Sequence, residues 1–186
     1  AHKGLKYDVE GEYFRANIMN FLFGGTFSSR LNLNLREDKG FTYGIRSGFS
    51  GNDTDGMFFI NSSVRSEATD SALTEIYYEL NKYLNEEMSE EELEFTKSSL
   101  TNSDALKYET AFQKTRFLAR IQRYGLDRDY TKRQKTILNS LTTSDIKTLA
   151  NKHLDEENHI VVVVGNKYAL KDKLEKFGKV VEMKIK

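Results

Sequence analysis

Residues 10–25, EGEYFRANIMNFLFGG, place Phe14, Ile18, Phe21 and Leu22 at i, i+4, i+7 and i+8. That spacing predicts an amphipathic helix, which Gly24 and Gly25 stop. The next stretch gives two signals. Leu31, Asn32, Leu33, Asn34 and Leu35 alternate like a strand, yet Asn is a poor strand residue and Leu31 and Leu35 also stack at i, i+4. A short helix is the better reading, capped by Ser28 or Ser29 and ending near Lys39 and Gly40.

FTYGIRSGFSG and GMFFINSSVRS are rich in aromatic and β-branched residues, and NDTDG between them carries turn chemistry. They predict an antiparallel hairpin with its turn near Asn52 to Gly56. From Thr69 the period changes to that of a helix, with Leu73, Ile76, Tyr77, Leu80 and Leu84 in one stripe. Ser89 with Glu92 forms a capping box that opens another helix. A helix over residues 108–124 puts Ala111, Thr115, Leu118, Ala119 and Gln122 on one face and ends at Gly125. DYTKRQKTILNSL and TSDIKTLANKHL predict two more, the second capped by Thr142 or Thr143. HIVVVVG reads as a buried strand by its continuous apolar run. YALKDKLEKFG predicts a short helix and KVVEMKI a last strand.

This order predicts an α+β fold: a two-layer sandwich in which a mostly antiparallel sheet carries its helices on one face. No internal repeat or long linker divides the chain, so residues 1–186 are expected to form a single domain.

Composition narrows the function. At 186 residues and 38% hydrophobic content, the chain can bury a sizeable core. Its 28 basic and 28 acidic side chains cancel, which gives no reason to expect a nucleic-acid partner. No cysteine is present, which excludes disulfides, thiolate nucleophiles and Cys-ligated metals. The absence of proline has no physical account. No apolar run is long enough for a membrane span, and AHKGLKYDVEG does not read as a signal peptide. The chain starts at Ala rather than Met, and is read as part of something longer or as a processed or engineered form.

The candidate chemistry is sparse. His153 and His159 in HLDEENH are six residues apart, whereas two ligands sharing a helical face need i, i+3 or i, i+4 spacing. A solvated helix end is the ordinary reading. No G-x-S-x-G elbow follows a strand, and FGGTFSSR lacks the Lys-Ser/Thr of a phosphate loop. The carboxylates of NEEMSEEELE suit a helix N-terminus. What remains is Arg36 at the end of a predicted helix and Tyr43 at the start of the next strand. A guanidinium fork and one phenolic O–H around a carbonyl oxygen can stabilise developing negative charge. An Arg that favours its helix dipole and a Tyr that packs its ring are the ordinary alternative.

FLFGGTFSSRLNLNLREDKGFTYGI closely resembles the signature of the second-half domain of pitrilysin/insulinase-type zinc metallopeptidases, a family that includes mitochondrial processing peptidase and bacterial relatives. The matching features are a helix ending in Gly-Gly, then Ser-Ser-Arg-Leu, Leu-Arg-Glu and Gly-hydrophobic-x-Tyr. The later segments YETAFQKTRFLARIQRYGLDRDY, LTTSDIKTLANKHL and HIVVVVGN follow in the family's order. The resemblance implies that catalysis is shared between two halves. One carries zinc on H-x-x-E-H; the other supplies an Arg and a Tyr seven residues apart to the peptide substrate and the tetrahedral intermediate. Arg36 and Tyr43 have that spacing, and Asn32, one helical turn before Arg36, is implied to line the substrate cavity.

This chain contains no H-x-x-E-H, so the resemblance places zinc in a complementary half, in the same polypeptide or a separate subunit. Alone, the chain is expected to be inactive. It is also expected to lack the domain's first strand, leaving a sheet edge through which it would self-associate or which it would rearrange to cover. The alternative function is a non-catalytic scaffold or peptide-binding subunit of the same family.

Overall fold

The computed structural model of the chain describes residues 1–106 and 108–183. In chain order these form β1 (His2–Lys3), α1 (Glu12–Asn20), α2 (Arg30–Asn32), β2 (Thr42–Ser50), β3 (Met57–Val64), α3 (Thr69–Asn85), α4 (Glu90–Leu106), α5 (Ala111–Tyr124), α6 (Tyr130–Ser140), α7 (Thr143–His153) and α8 (Lys167–Leu174). The sheet is antiparallel throughout, in the order β1-β3-β2.

Alternation along the two long strands separates two faces. Ile45 and Phe49 of β2 and Phe58 of β3 are buried. They meet Ile18 and Met19 of α1, Leu80 and Leu84 of α3, and Ile146 and Leu149 of α7 in one apolar core. Arg46, Asn61 and Ser63 on the other face are exposed. The result is the expected two-layer α+β sandwich, with its helices on one side of the sheet.

The ambiguous LNLNL is helical: Leu31 and Leu35 are fully buried while Leu33, between them, is half exposed. Ser29 holds the N-cap position of α2, yet its hydroxyl does not cap; it accepts from Asn32 Nδ2 at 3.1 Å. The Ser89–Glu92 box forms as expected, and Thr142 rather than Thr143 caps α7 through Asp145.

Three expectations need correction. The inner face of α5 is Gln113, Phe117, Ile121 and Tyr124, not the stripe through Leu118, which is exposed. Phe117 decides this rotation: its ring stacks on Tyr130 and meets Tyr108 edge-on. HIVVVVG is not a strand. Among the described residues the only backbone pairing of residues 160–164 is that of Ile160 with Ala1. KVVEMKI is not a strand over residues 179–183, where Glu182 instead holds Lys167 and Lys171 of α8; residues 184–186 lie outside the described residues.

Candidate functional site

Arg36 and Tyr43 flank the turn that joins the α2 segment to β2. Past Asn32 the helix widens into a π-helical stretch, Leu33–Asp38, and Lys39 N–H closes on the Asn34 carbonyl five residues back at 2.9 Å. π segments recur at functional sites because the extra residue per turn re-aims the side chains around it. Gly40 then takes φ +61°, a left-handed conformation that favours glycine, and open space surrounds it. Phe41 N–H bonds back to the Leu35 carbonyl and fixes the turn.

Arg36 leaves this stretch part-buried. Its guanidinium lies 3.8 Å over the Phe27 ring and pairs with Glu37. Tyr43 sits at an irregularity in β2. Thr42 pairs with Val64 and Ile45 with Ser62, so Tyr43 and Gly44 together face Ser63 across a β-bulge. Thr42 Oγ1 knits the bulge, donating to the Ser63 carbonyl at 2.8 Å and accepting from Gly44 N–H at 3.0 Å. Strict alternation with Ile45, Ser47 and Phe49 would point Tyr43 into the core. The bulge turns it out, and Tyr43 is 98% exposed. No hydrogen bond or ring contact links Arg36 to Tyr43 among the described residues. Neither lines the clefts beside α3.

Asn32 lies elsewhere than expected. It is 2% exposed. Its Nδ2 donates to the carbonyls of Ile45 and Thr26, and its Oδ1 accepts from Ile45 N–H at 3.1 Å. The amide is engaged within the chain and has no free group for a substrate, so Asn32 positions the turn instead of lining a cavity.

Two features escaped the sequence reading. Tyr13 Oη and Asn20 Nδ2 donate to the carbonyls of Phe49 and Ser47, so side chains from α1 continue the closure of the β2 edge. Arg30, at the start of α2, forms a two-pronged ion pair with Glu92 of α4 at 3.0 and 2.7 Å. Burial opposes ionisation of Glu92, but the Arg30 fork and the Ser89 N–H outweigh it and hold the carboxyl below its ordinary value. Burial pushes the neighbouring Tyr83 phenol up; its O–H donates to the Met19 carbonyl. The glycine after Tyr43 was the available signal for the bulge.

The residues present do not fit a zinc ion. No group of three or more His, Asp or Glu side chains that could hold a metal exists among the described residues. His153 is bonded to Glu12, His159 to Tyr77, and His2 accepts from Asp155 N–H.

A family profile described as the peptidase M16 inactive domain matches residues 3–100, more than half of the chain and all of the Arg36–Tyr43 segment. The chain belongs to this family. No curated protein matches this M16 inactive domain. Among solved structures, it is similar to a peptidase M16 inactive domain from Pseudomonas fluorescens, at 28% identity and TM-score 0.73 over 82% of this chain and 36% of that one. A protease from Helicobacter pylori shares the fold at 18% identity and TM-score 0.70, over 83% of this chain and 37% of that one. So does a chain of complex III2 from Candida albicans, at 15% identity and TM-score 0.66 over 82% and 38%. The M16 inactive domain described here spans little more than a third of the length of each. No helix among the described residues is long and apolar enough to cross a membrane.

Proposed function

We propose that residues 1–186 form one domain, its sheet one strand short, that serves as the substrate-binding and transition-state-supporting half of a zinc-dependent endopeptidase. Its partner is a complementary half carrying H-x-x-E-H, and zinc belongs to that half. The observation that carries this reading is Tyr43. A tyrosine that alternation would bury is held in solvent by a bulge, across one turn from an arginine.

In this reading the Arg36 guanidinium exchanges Glu37 for the peptide, and the Tyr43 O–H donates to the carbonyl oxygen as negative charge develops on it. Both are catalytic residues in that role, because donors aimed at a developing oxyanion lower the barrier more than they tighten the ground state. Asn32 is a positioning residue for both.

The test is reconstitution. The chain alone leaves a fluorogenic peptide library uncleaved, and adding an H-x-x-E-H half-domain restores cleavage. Peptide binding without cleavage by the assembled pair would replace this reading with that of a scaffold.

A further inference from the structure

Phe27 occupies a place that local chemistry does not explain. Ser29 N–H donates to the Thr26 carbonyl at 3.2 Å, which puts Phe27 and Ser28 at the corner of a turn. Turn corners favour Gly, Pro, Asn, Asp and Ser. The Phe27 side chain is 57% exposed and takes no part in the apolar core. Its ring instead lies under the Arg36 guanidinium, 3.8 Å from centroid to carbon. The other cation–ring distances among the described residues run from 5.0 to 5.8 Å. Arg36 and Phe27 touch, where those pairs are only near each other.

Both partners are held from behind. The Thr26 carbonyl, one residue before Phe27, also accepts from Asn32 Nδ2 at 3.1 Å, and Asn32 is buried. Ser29 is fully buried, and its carbonyl accepts from Leu33 N–H at 2.9 Å. Arg36 follows in the π-helical stretch that Leu33 opens, directly after buried Leu35. Backbone hydrogen bonds and one buried amide therefore set where the ring stands relative to Arg36.

The two neighbours of the guanidinium engage different parts of it. Glu37 is a carboxylate, so it accepts from an N–H edge and competes with a carbonyl for that edge. Phe27 has no acceptor atom. It meets the face, where the ring quadrupole attracts the cation, and leaves the edge free. An arginine side chain otherwise has many rotamers to lose on binding, and a contact made in advance removes part of that loss.

We propose that Phe27 is a positioning residue for Arg36: its ring holds the guanidinium by one face, so that the N–H edge meets the substrate carbonyl when Glu37 leaves. The inference rests on the reading of Arg36 as a catalytic residue.

The test is a double-mutant cycle on kcat/KM, in the chain reconstituted with an H-x-x-E-H half-domain and given a fluorogenic peptide. Phe27→Leu keeps apolar bulk but has no ring. It is expected to lower kcat/KM about fivefold, at a melting temperature within about 2 °C of wild type. Phe27→Trp, which restores an aromatic face, recovers most of that loss. In the Arg36→Ala background Phe27→Leu costs nothing further, because the ring acts only through the guanidinium. The free chain gives a second readout. The Arg36 Nε–H resonance, displaced by the ring current of Phe27, moves to the position of an unstacked arginine in Phe27→Leu. Equal losses from Phe27→Leu with and without Arg36 would make the ring structural and overturn the proposal. So would an Nε–H resonance that Phe27→Leu leaves in place. A wild-type kcat/KM in Phe27→Leu beside a large loss in Arg36→Ala would overturn the proposal and leave Arg36 as a catalytic residue. A wild-type kcat/KM in Arg36→Ala would overturn both.

Discussion

Asn32 is the side-chain neighbour that Ile45 lacks in the sheet: its amide donates to the Ile45 carbonyl at 2.7 Å and accepts from the Ile45 N–H at 3.1 Å. β2 is an edge strand, and this contact satisfies its outer backbone groups two residues after Tyr43. The same amide lies one helical turn before Arg36. One buried side chain thus ties together the two segments that present the proposed catalytic pair.

Asn32→Ala leaves both Ile45 backbone groups buried without partners, each at about 1–3 kcal/mol. We expect a loss of about 3 kcal/mol in urea denaturation, with accelerated amide exchange at Ile45. A loss under about 1 kcal/mol would show that the edge is held by something else.

Gly24 marks the close approach of the first helical segment to β2. A Cβ there would sit 2.2 Å from Ser47 Oγ and 2.9 Å from Leu31 Cδ1. Gly24→Ala is expected to destabilise by about 2 kcal/mol, as overpacking does. Ser47→Gly in the same chain should recover part of the loss, visible as non-additivity in a double-mutant cycle. Strictly additive losses would contradict the contact.

The Arg30–Glu92 pair makes stability pH-dependent. The folded carboxyl is held below its ordinary value, so the unfolded chain takes up the proton first. The contribution is fully present above the unfolded pKa and is lost as pH falls through the folded one. Chemical denaturation from pH 7 down through the carboxylate range should show an acid limb that is shallower in Glu92→Gln. An unchanged limb would mean that other carboxylates carry it.

The helices were legible wherever a cap and a stripe agreed, as at Ser89–Glu92 and along Leu73, Ile76 and Leu80. The hairpin was legible from its turn residues. The α5 face was not, because rings on two neighbouring segments, Tyr108 and Tyr130, decide its rotation around Phe117. The IVVVV run failed as a strand for a related reason: an apolar run states that a segment can pair, not that a partner is present. At the site, the spacing of Arg36 and Tyr43 was visible, but the bulge that reverses Tyr43 depends on Thr42 reaching Ser63 across the hairpin. Asn32 was assigned to the cavity by its proximity in sequence, and only its bonds to Ile45 show that it faces inward.

The most direct test of the central claim is the turnover of Tyr43→Phe in the chain reconstituted with an H-x-x-E-H half-domain. The side chain is 98% exposed and its hydroxyl has no internal partner among the described residues, so the melting temperature should stay within about 2 °C of wild type. Turnover of a fluorogenic peptide should fall about 10²-fold or more, the usual cost of removing one oxyanion donor. Turnover within about twofold of wild type, at unchanged stability, would contradict the account.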